Sequence, residues 1–472
     1  MNPPLEGTGF VLFDVTGLMT TSATFETVVE AFAMREFAGF EVHVAQPTAG
    51  RPMLDDAAVG RGTALGVPWR IVSAAGRTVQ QPRAPQPPAG ETSRSGMSLL
   101  NGLATESSSS LTTFMAHHPA AVSTLLASPP PATEVRAWWG TLDSGRRSSL
   151  LVTAPQLVGN LDGVPLDARG RANLRLLHQS AEAVRTGIAS SGRGERFGAE
   201  QQLVMFAEVE RALKPAASGE RRTLLSFDPA GAGTAAIVIG DLSTADSVSV
   251  LVPGAFVLVS GQVVQWTDSA QALHDERTGW VDRTWSAGSQ PGTRPTVATV
   301  AWIGYQTPGP FEVTKLDFAS KGRDALARVI QGVQDARTDD EPFVSVIAHS
   351  YGSTAAMMAL TEYDFEIDAL AVVGSPGGLV SRASDLHVRN GAIFVGDAAW
   401  DPVAGVGFFG VDPGSPQFGA IPFGVSGGRH DPYSGQLLGS SMMHDSYFDP
   451  GSESLRNLAL ISLGLGDRVT ED

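Results

Sequence analysis

The sequence predicts an α/β fold: a doubly wound, mostly parallel sheet, with a helical region and a small N-terminal α/β segment ahead of it. Three observations predict it. Short apolar runs without polar alternation recur through the C-terminal half, as strands covered on both faces require. Helical stretches separate those runs. One run ends in a five-residue turn of small residues that opens at once into an Ala-rich helix. With 472 residues the chain has length for two to four domains.

Residues 1–80 read as the N-terminal α/β segment. The run Gly9-Phe10-Val11-Leu12-Phe13 is a buried-strand pattern, a helical pattern follows over 25–37, and a second strand is expected at 40–45. Phe13-Asp14-Val15-Thr16-Gly17 resembles the first motif of haloacid-dehalogenase-type phosphatases. No lysine precedes Lys214, however, so the segment is read as a structural strand and turn. Residues 81–96, with their prolines and no large apolar side chain, read as a linker or surface loop. Residues 97–218 form the helical region, with helices expected over 134–142, 169–188 and 200–213. Trp138 and Trp139 are read there as core anchors. Residues 219–472 form the sheet domain. Its strands are expected at 223–227, 235–239, 247–252, 296–303, 343–348, 369–373 and 392–395, with helices over 320–336, 353–362 and 452–463.

Composition narrows the function classes. Against 49 acidic residues stand 33 Lys and Arg, a net charge of -16, which repels nucleic acid and disfavours anionic membranes. The absence of cysteine excludes thiol catalysis, thiolate metal sites and disulfides. The chain holds no continuous apolar run long enough for a membrane span. Its start lacks a basic region followed by an apolar stretch, so a cytoplasmic location is expected.

Chemistry concentrates at Ala348-His349-Ser350-Tyr351-Gly352, a G-x-S-x-G pattern with Ala in the first small position. A serine at the apex of a sharp strand-to-helix turn projects its Oγ above the sheet, and bulky neighbours would clash with the flanking strand and helix. The turn also aims the helix N-terminus and the Tyr351 N–H at the reacting carbon.

Such a serine needs a base and the base needs a carboxylate, in the chain order Ser, acid, His. Three histidines follow Ser350: His387, His430 and His444. His387 precedes a strand and belongs at the wrong end of the sheet. His444, on a loop before the last helix, is favoured as base, with His430 the alternative. Asp401, past the end of the 392–395 strand, is favoured as acid, with Asp397 the alternative. The second oxyanion donor is expected in the turn after the 247–252 strand, Pro253-Gly254-Ala255-Phe256, at Ala255. Tyr305, Trp400 and Phe408, near strand ends, are read as lining the substrate site.

Taken together, these stretches resemble the α/β-hydrolase superfamily, and within it an actinobacterial family. The resemblance is carried by Trp138-Trp139, Val158-Gly-Asn-Leu-Asp-Gly-Val-Pro165 with Arg169 and Asn173, and Ala245-Asp-Ser-Val-Ser-Val-Leu-Val-Pro-Gly254. It continues through Trp302-Ile-Gly-Tyr305, Ala348-His-Ser-Tyr-Gly-Ser353, Gly374-Ser-Pro-Gly377, Asp401-Pro-Val403, and His444 with Tyr447 ahead of Ser454-Leu-Arg-Asn457. The family usually has Gly where Ala348 stands, and residues 1–95 are not covered. The resemblance implies an α/β-hydrolase fold with Ser350, Asp401 and His444 as triad, and leaves the substrate open.

The expected activity is that of a serine hydrolase acting on a small-molecule carboxylic ester through an acyl-enzyme, without metal or cofactor. An amidase or peptidase with the same triad, and a non-catalytic binding protein on the same fold, are the alternatives.

Overall fold

A computed structural model of the chain describes residues 89–189, 192–284 and 294–471. The segment expected over 1–80, Asp14 included, lies outside the described residues.

The described chain opens with helices α1 (Ala89–Thr105), α2 (Ser108–His117), α3 (Pro119–Ala127), α4 (Ala132–Thr141), α5 (Ser144–Thr153), α6 (Pro155–Asn160), α7 (Leu166–Ile188) and α8 (Arg193–Ala212). Residues 89–96, placed by composition in the linker, open α1 instead. The last proline of that run is Pro88, so every later residue keeps the N–H a helix needs. Capping side chains mark two further starts: Ser107 accepts from Ser110 N–H and Asp143 from Arg146 N–H.

The helices divide between two cores. Leu100, Leu111, Val135, Trp138, Trp139, Leu150 and Leu157 form a core of their own. The second half of α7 (Leu177, Ala181) and α8 (Met205, Phe206, Val209) pack against the sheet instead. Buried Asn173 joins the two: its Nδ2 lies within 2.8 Å of Gly159 O, 3.1 Å of Leu224 O and 3.0 Å of Leu225 O.

The sheet comprises β1 (Arg222–Asp228), β2 (Thr234–Ile239), β3 (Ser247–Val252), β4 (Val297–Ile303), β5 (Phe343–His349), β6 (Ala369–Val373), β7 (Ile393–Gly396) and β8 (Ile421–Pro422). Between and after these strands come helices α9 (Val259–Thr284), α10 (Asp317–Ala336), α11 (Tyr351–Glu362) and α12 (Glu453–Ile461). The strand order is β1-β2-β4-β3-β5-β6-β7-β8. The first two pairings are antiparallel and the rest parallel. Alternate residues of each central strand feed opposite cores. Val344, Val346 and Ala348 face the α10–α11 side, and Ile347 the α9–α12 side, which explains the apolar runs without alternation.

From β3 the chain steps to β4 on one side, then crosses to β5 on the other. Loops leaving neighbouring strands in opposite directions open a crevice at their carboxyl ends. The crevice between β3 and β5 holds the Pro253–Phe256 turn and the Ser350 turn. Among the described residues no helix is long and apolar enough to cross a membrane.

Candidate active site

Ser350 follows β5 directly and precedes α11, with φ 53° and ψ -132°. A β-carbon in that region is strained, and the surroundings hold it there. Ser350 N–H donates to Val373 O, and its carbonyl accepts from Ser353 N–H and the Ser353 hydroxyl. The small neighbours are required by distance. A β-carbon on Gly352 would stand 2.3 Å from Pro253 O, and one on Gly254 would stand 2.5 Å from the Ser350 Cβ.

Above the sheet edge three side chains meet that are far apart in sequence. His444 Nε2 lies 2.8 Å from Ser350 Oγ, and His444 Nδ1 lies 2.9 Å from both Asp401 oxygens. With Nδ1–H donating to the carboxylate, Nε2 is left as acceptor for the serine proton. Asp401 also accepts from Val403 N–H at 2.8 Å and from the Tyr447 hydroxyl at 2.7 Å. Burial by itself raises the Asp401 pKa. The His444 hydrogen bond and charge, the Tyr447 hydroxyl and the Val403 N–H outweigh burial and hold the carboxyl at about 2. Gly374, at φ 57°, makes room for this line: a β-carbon there would meet Asp401 Oδ2 at 2.6 Å and His444 Nδ1 at 3.1 Å.

Two supporting side chains were not singled out as site residues in the sequence. Tyr447 is fully buried and accepts from Ala398 N–H while donating to Asp401, which ties the acid's loop to the base's loop. His349, the variable residue of the serine turn, hydrogen-bonds through Nε2 to His444 O at 2.8 Å and packs its ring 4.5 Å from the His444 ring. Its signal was its position: a large polar residue at the end of a buried strand, next to the serine.

Residues 228–411 match the family model described as alpha/beta hydrolase. The fold is that of an α/β hydrolase. An uncharacterized Mycobacterium tuberculosis protein, found in two strains, is 29% identical over 389 residues, covering 72% of this chain and 57% of its own length. The chain therefore spans little more than half the length of the curated relatives it matches. Among solved structures, an esterase/lipase from an uncultured bacterium is similar with a TM-score of 0.32 and 8% identity, over 57% of this chain and 91% of that one. An arylesterase is similar with a TM-score of 0.32 and 12% identity, over 64% and 99%.

In this fold Ser350, His444, Tyr351 and Ala255 line a cavity of about 110 Å³. One wall is Val257 with Gln262, Gln265, Trp266 and Ser269 of α9; another is Val313, Pro376, Val403 and Phe409. The α9 wall was missed in the sequence. The spacing of Val263, Trp266, Ala270, Leu273 and Trp280 is helical, but buried Thr267, Gln271, His274 and Arg277 interrupt it and Gly261 breaks its start.

Three residues read as lining the substrate site are not among those that line this cavity. Tyr305 is buried, stacks on Trp302 and donates its hydroxyl to Pro253 O at 3.0 Å, so it props the Pro253–Phe256 turn from beneath. Trp400 is 58% exposed outside the cavity. Phe408 packs edge-on against Phe409 and reaches the cavity only through it.

Among the described residues the alternatives for base and acid make no hydrogen bond to Ser350 or to one another. His430 is exposed on Gly435 O and His387 on Tyr363 O. Asp397 is pushed up to about 7 by burial and by the charges of Asp412 and Asp401, and no hydrogen bond joins it to an imidazole.

Two predictions arise here. Gly254 has no positive φ, so Gly254→Ala is a purely steric test, and the new methyl must displace Ser350. We expect kcat/KM to fall about 100-fold, as a misplacement near 1 Å does, together with a lower melting temperature. Ester turnover at the wild-type rate would contradict this. The second concerns acid. Burial, then the His444 charge, lowers His349 to about 4, and burial, then Arg277, lowers His274 to about 3. Both lie below the unfolded value of about 6.5, so the unfolded chain binds more protons as pH falls. Stability is then present above pH about 6.5 and lost toward pH 4. Asp397, raised to about 7, opposes this with a single proton. Thermal melts should show the midpoint dropping between pH 6.5 and 4, and a flat midpoint would count against neutral buried histidines.

Proposed function

We propose that the chain is a serine hydrolase that cleaves carboxylic esters through an acyl-enzyme, with Ser350 as nucleophile, His444 as base and Asp401 as its orienting acid. The observation that carries this reading is the unbroken line from Ser350 Oγ to His444 Nε2 at 2.8 Å and from His444 Nδ1 to Asp401 at 2.9 Å.

In the first half-reaction Ser350 Oγ bonds to the carbonyl carbon as its proton passes to His444 Nε2. The carbonyl π pair moves onto oxygen, where the N–H groups of Tyr351 and Ala255 receive it. Tyr351 opens α11, so its N–H has no acceptor within the helix and lies at the positive end of the dipole. When the carbonyl reforms, the C–O bond to the alcohol breaks and the leaving oxygen takes the proton from His444. Water, deprotonated by His444, then attacks the acyl carbon; the bond from that carbon to Ser350 Oγ breaks, Oγ takes the proton back from His444, and the carboxylic acid leaves.

Asp401, ionised above pH about 2, stabilises the imidazolium throughout. The Nε2 of His349 is committed to His444 O, which leaves His444 as the proton donor beside the leaving group.

A panel of p-nitrophenyl esters beside matching anilides tests the reading. Hydrolysis of the esters, together with stoichiometric loss of activity to a fluorophosphonate and a mass increase on the peptide containing Ser350, is expected. Faster cleavage of anilides would make the protein an amidase. No turnover and no covalent labelling would leave a binding protein on the same fold.

A further inference from the structure

We propose that the loops around the site form an apolar apron that seats the alkyl chain of the substrate's acyl group beyond the cavity, so that the preferred esters carry an uncharged chain longer than the cavity holds. This rests on the serine-hydrolase reading above. A dry cavity of about 150 Å³ accepts a benzene ring. The one beside Ser350, at about 110 Å³, then accommodates about four carbons, and a longer chain must emerge from it.

What it emerges onto is apolar. Large hydrophobic side chains stand exposed next to residues of the site: Phe311 two positions before Val313, Trp400 beside Asp401, Val406 and Phe408 between Val403 and Phe409, and Met442 and Met443 directly before His444. Phe311 is 86% exposed, a costly placement for a phenyl ring with nothing to cover. Exposed hydrophobics scattered singly need no explanation, but exposed ones gathered on the loops that carry a cavity mark a binding surface.

Continuity with the site is direct on one side. Phe408 packs edge-on, 4.8 Å between centroids, against Phe409, which lines the cavity and packs on Tyr351. Charge decides the chemistry of the occupant. Neither the residues lining the cavity nor the stretches 309–313, 400–409 and 441–444 contain a lysine or arginine. A carboxylate or phosphate on the acyl chain would find no partner there, and a neutral alkyl chain needs none. Unbranched methionines and aromatic rings suit a flexible chain of no fixed shape.

The test is a series of p-nitrophenyl esters from acetate to dodecanoate, kept below their aggregation concentrations. If each methylene laid on a half-open apolar surface is worth about twofold in kcat/KM, octanoate should exceed butyrate by about 16-fold. Phe311→Ser, Phe408→Ser and Met443→Ser, singly and combined, should collapse that ratio toward one, with the change in KM. Phe197→Ser, an exposed aromatic side chain on helix α8 and not on these loops, should leave it unchanged.

Circular dichroism and a melting curve show whether the combined variant folds, and the single Phe311→Ser change, at the most exposed position, keeps the test available if it does not. If acetate or butyrate is the best substrate, or the ratio survives the substitutions, the apron proposal is overturned while the hydrolase reading stands. If no ester of any length is cleaved, the hydrolase reading itself has failed. If preference for long chains appears only above the aggregation concentration, the apron binds a lipid surface and not a single chain, which also overturns the proposal.

Discussion

Replacing Ser350 with alanine should lower ester hydrolysis by about 10⁴- to 10⁶-fold while leaving the protein folded. The size follows from the chemistry. Without Oγ there is no covalent intermediate, and what survives is the contribution of the oxyanion donors and of binding, which together keep only a small part of the rate. Retention of the fold follows from local geometry. Ser350 is held at φ 53° by backbone bonds from its N–H to Val373 and to its carbonyl from Ser353, and alanine keeps both. Removing one hydroxyl that faces a cavity leaves His444 Nε2 to a water molecule, so the stability change should stay within about 1 kcal/mol. The variant should also fail to take up a fluorophosphonate that labels the wild type. Equal labelling of both proteins, or ester turnover within tenfold of wild type by a preparation free of contaminating esterase, would remove Ser350 as nucleophile.

How much of this was legible follows physical lines. Strands β3, β5 and β6 were readable because a strand buried on both faces carries no charged and few large polar side chains, and those runs stand out even against a chain in which only 17% of residues are charged. The Ser350 turn was readable because only glycine clears Pro253 O at position 352. Helix α9 was not. Its buried face includes Thr267, Gln271, His274 and Arg277, and polar residues on a buried face blur an amphipathic pattern.

Tyr447 and His349 were visible as letters but not as supports, because what each does depends on a loop nearly a hundred positions away or on another element's backbone. Tyr305 shows the converse error. An aromatic residue near a strand end reads equally well as a cavity wall or as a prop, and only the hydrogen bond from its hydroxyl to Pro253 O decides between them. The Pro253–Phe256 turn was singled out for a reason the sequence does carry: Gly254 is where a neighbouring backbone can approach a serine without a side chain in the way.

Replacing Asp401 with asparagine should cost about 10⁴-fold in kcat with little change in KM, although the two side chains have nearly the same shape. The carboxylate accepts at every oxygen: from His444 Nδ1, from Val403 N–H and from the Tyr447 hydroxyl. Asparagine offers one acceptor and one donor. The oxygen can satisfy Val403 N–H, which turns the amide N–H₂ toward His444 Nδ1 or Tyr447. A donor facing Nδ1 selects the tautomer protonated at Nε2, and that nitrogen can no longer take the serine proton.

The same substitution has a separate effect on stability. With the carboxyl held at about 2 against an unfolded value near 3.8, the ionised form contributes stability that is fully present above pH about 4 and lost as pH falls through 2. Asparagine forgoes it, at about 2 kcal/mol at neutral pH. The denaturation midpoint should therefore fall throughout pH 6 to 8. A variant that keeps more than a tenth of wild-type kcat would mean that Tyr447 or the His349 contact alone holds the His444 ring, and that Asp401 is not its orienting acid.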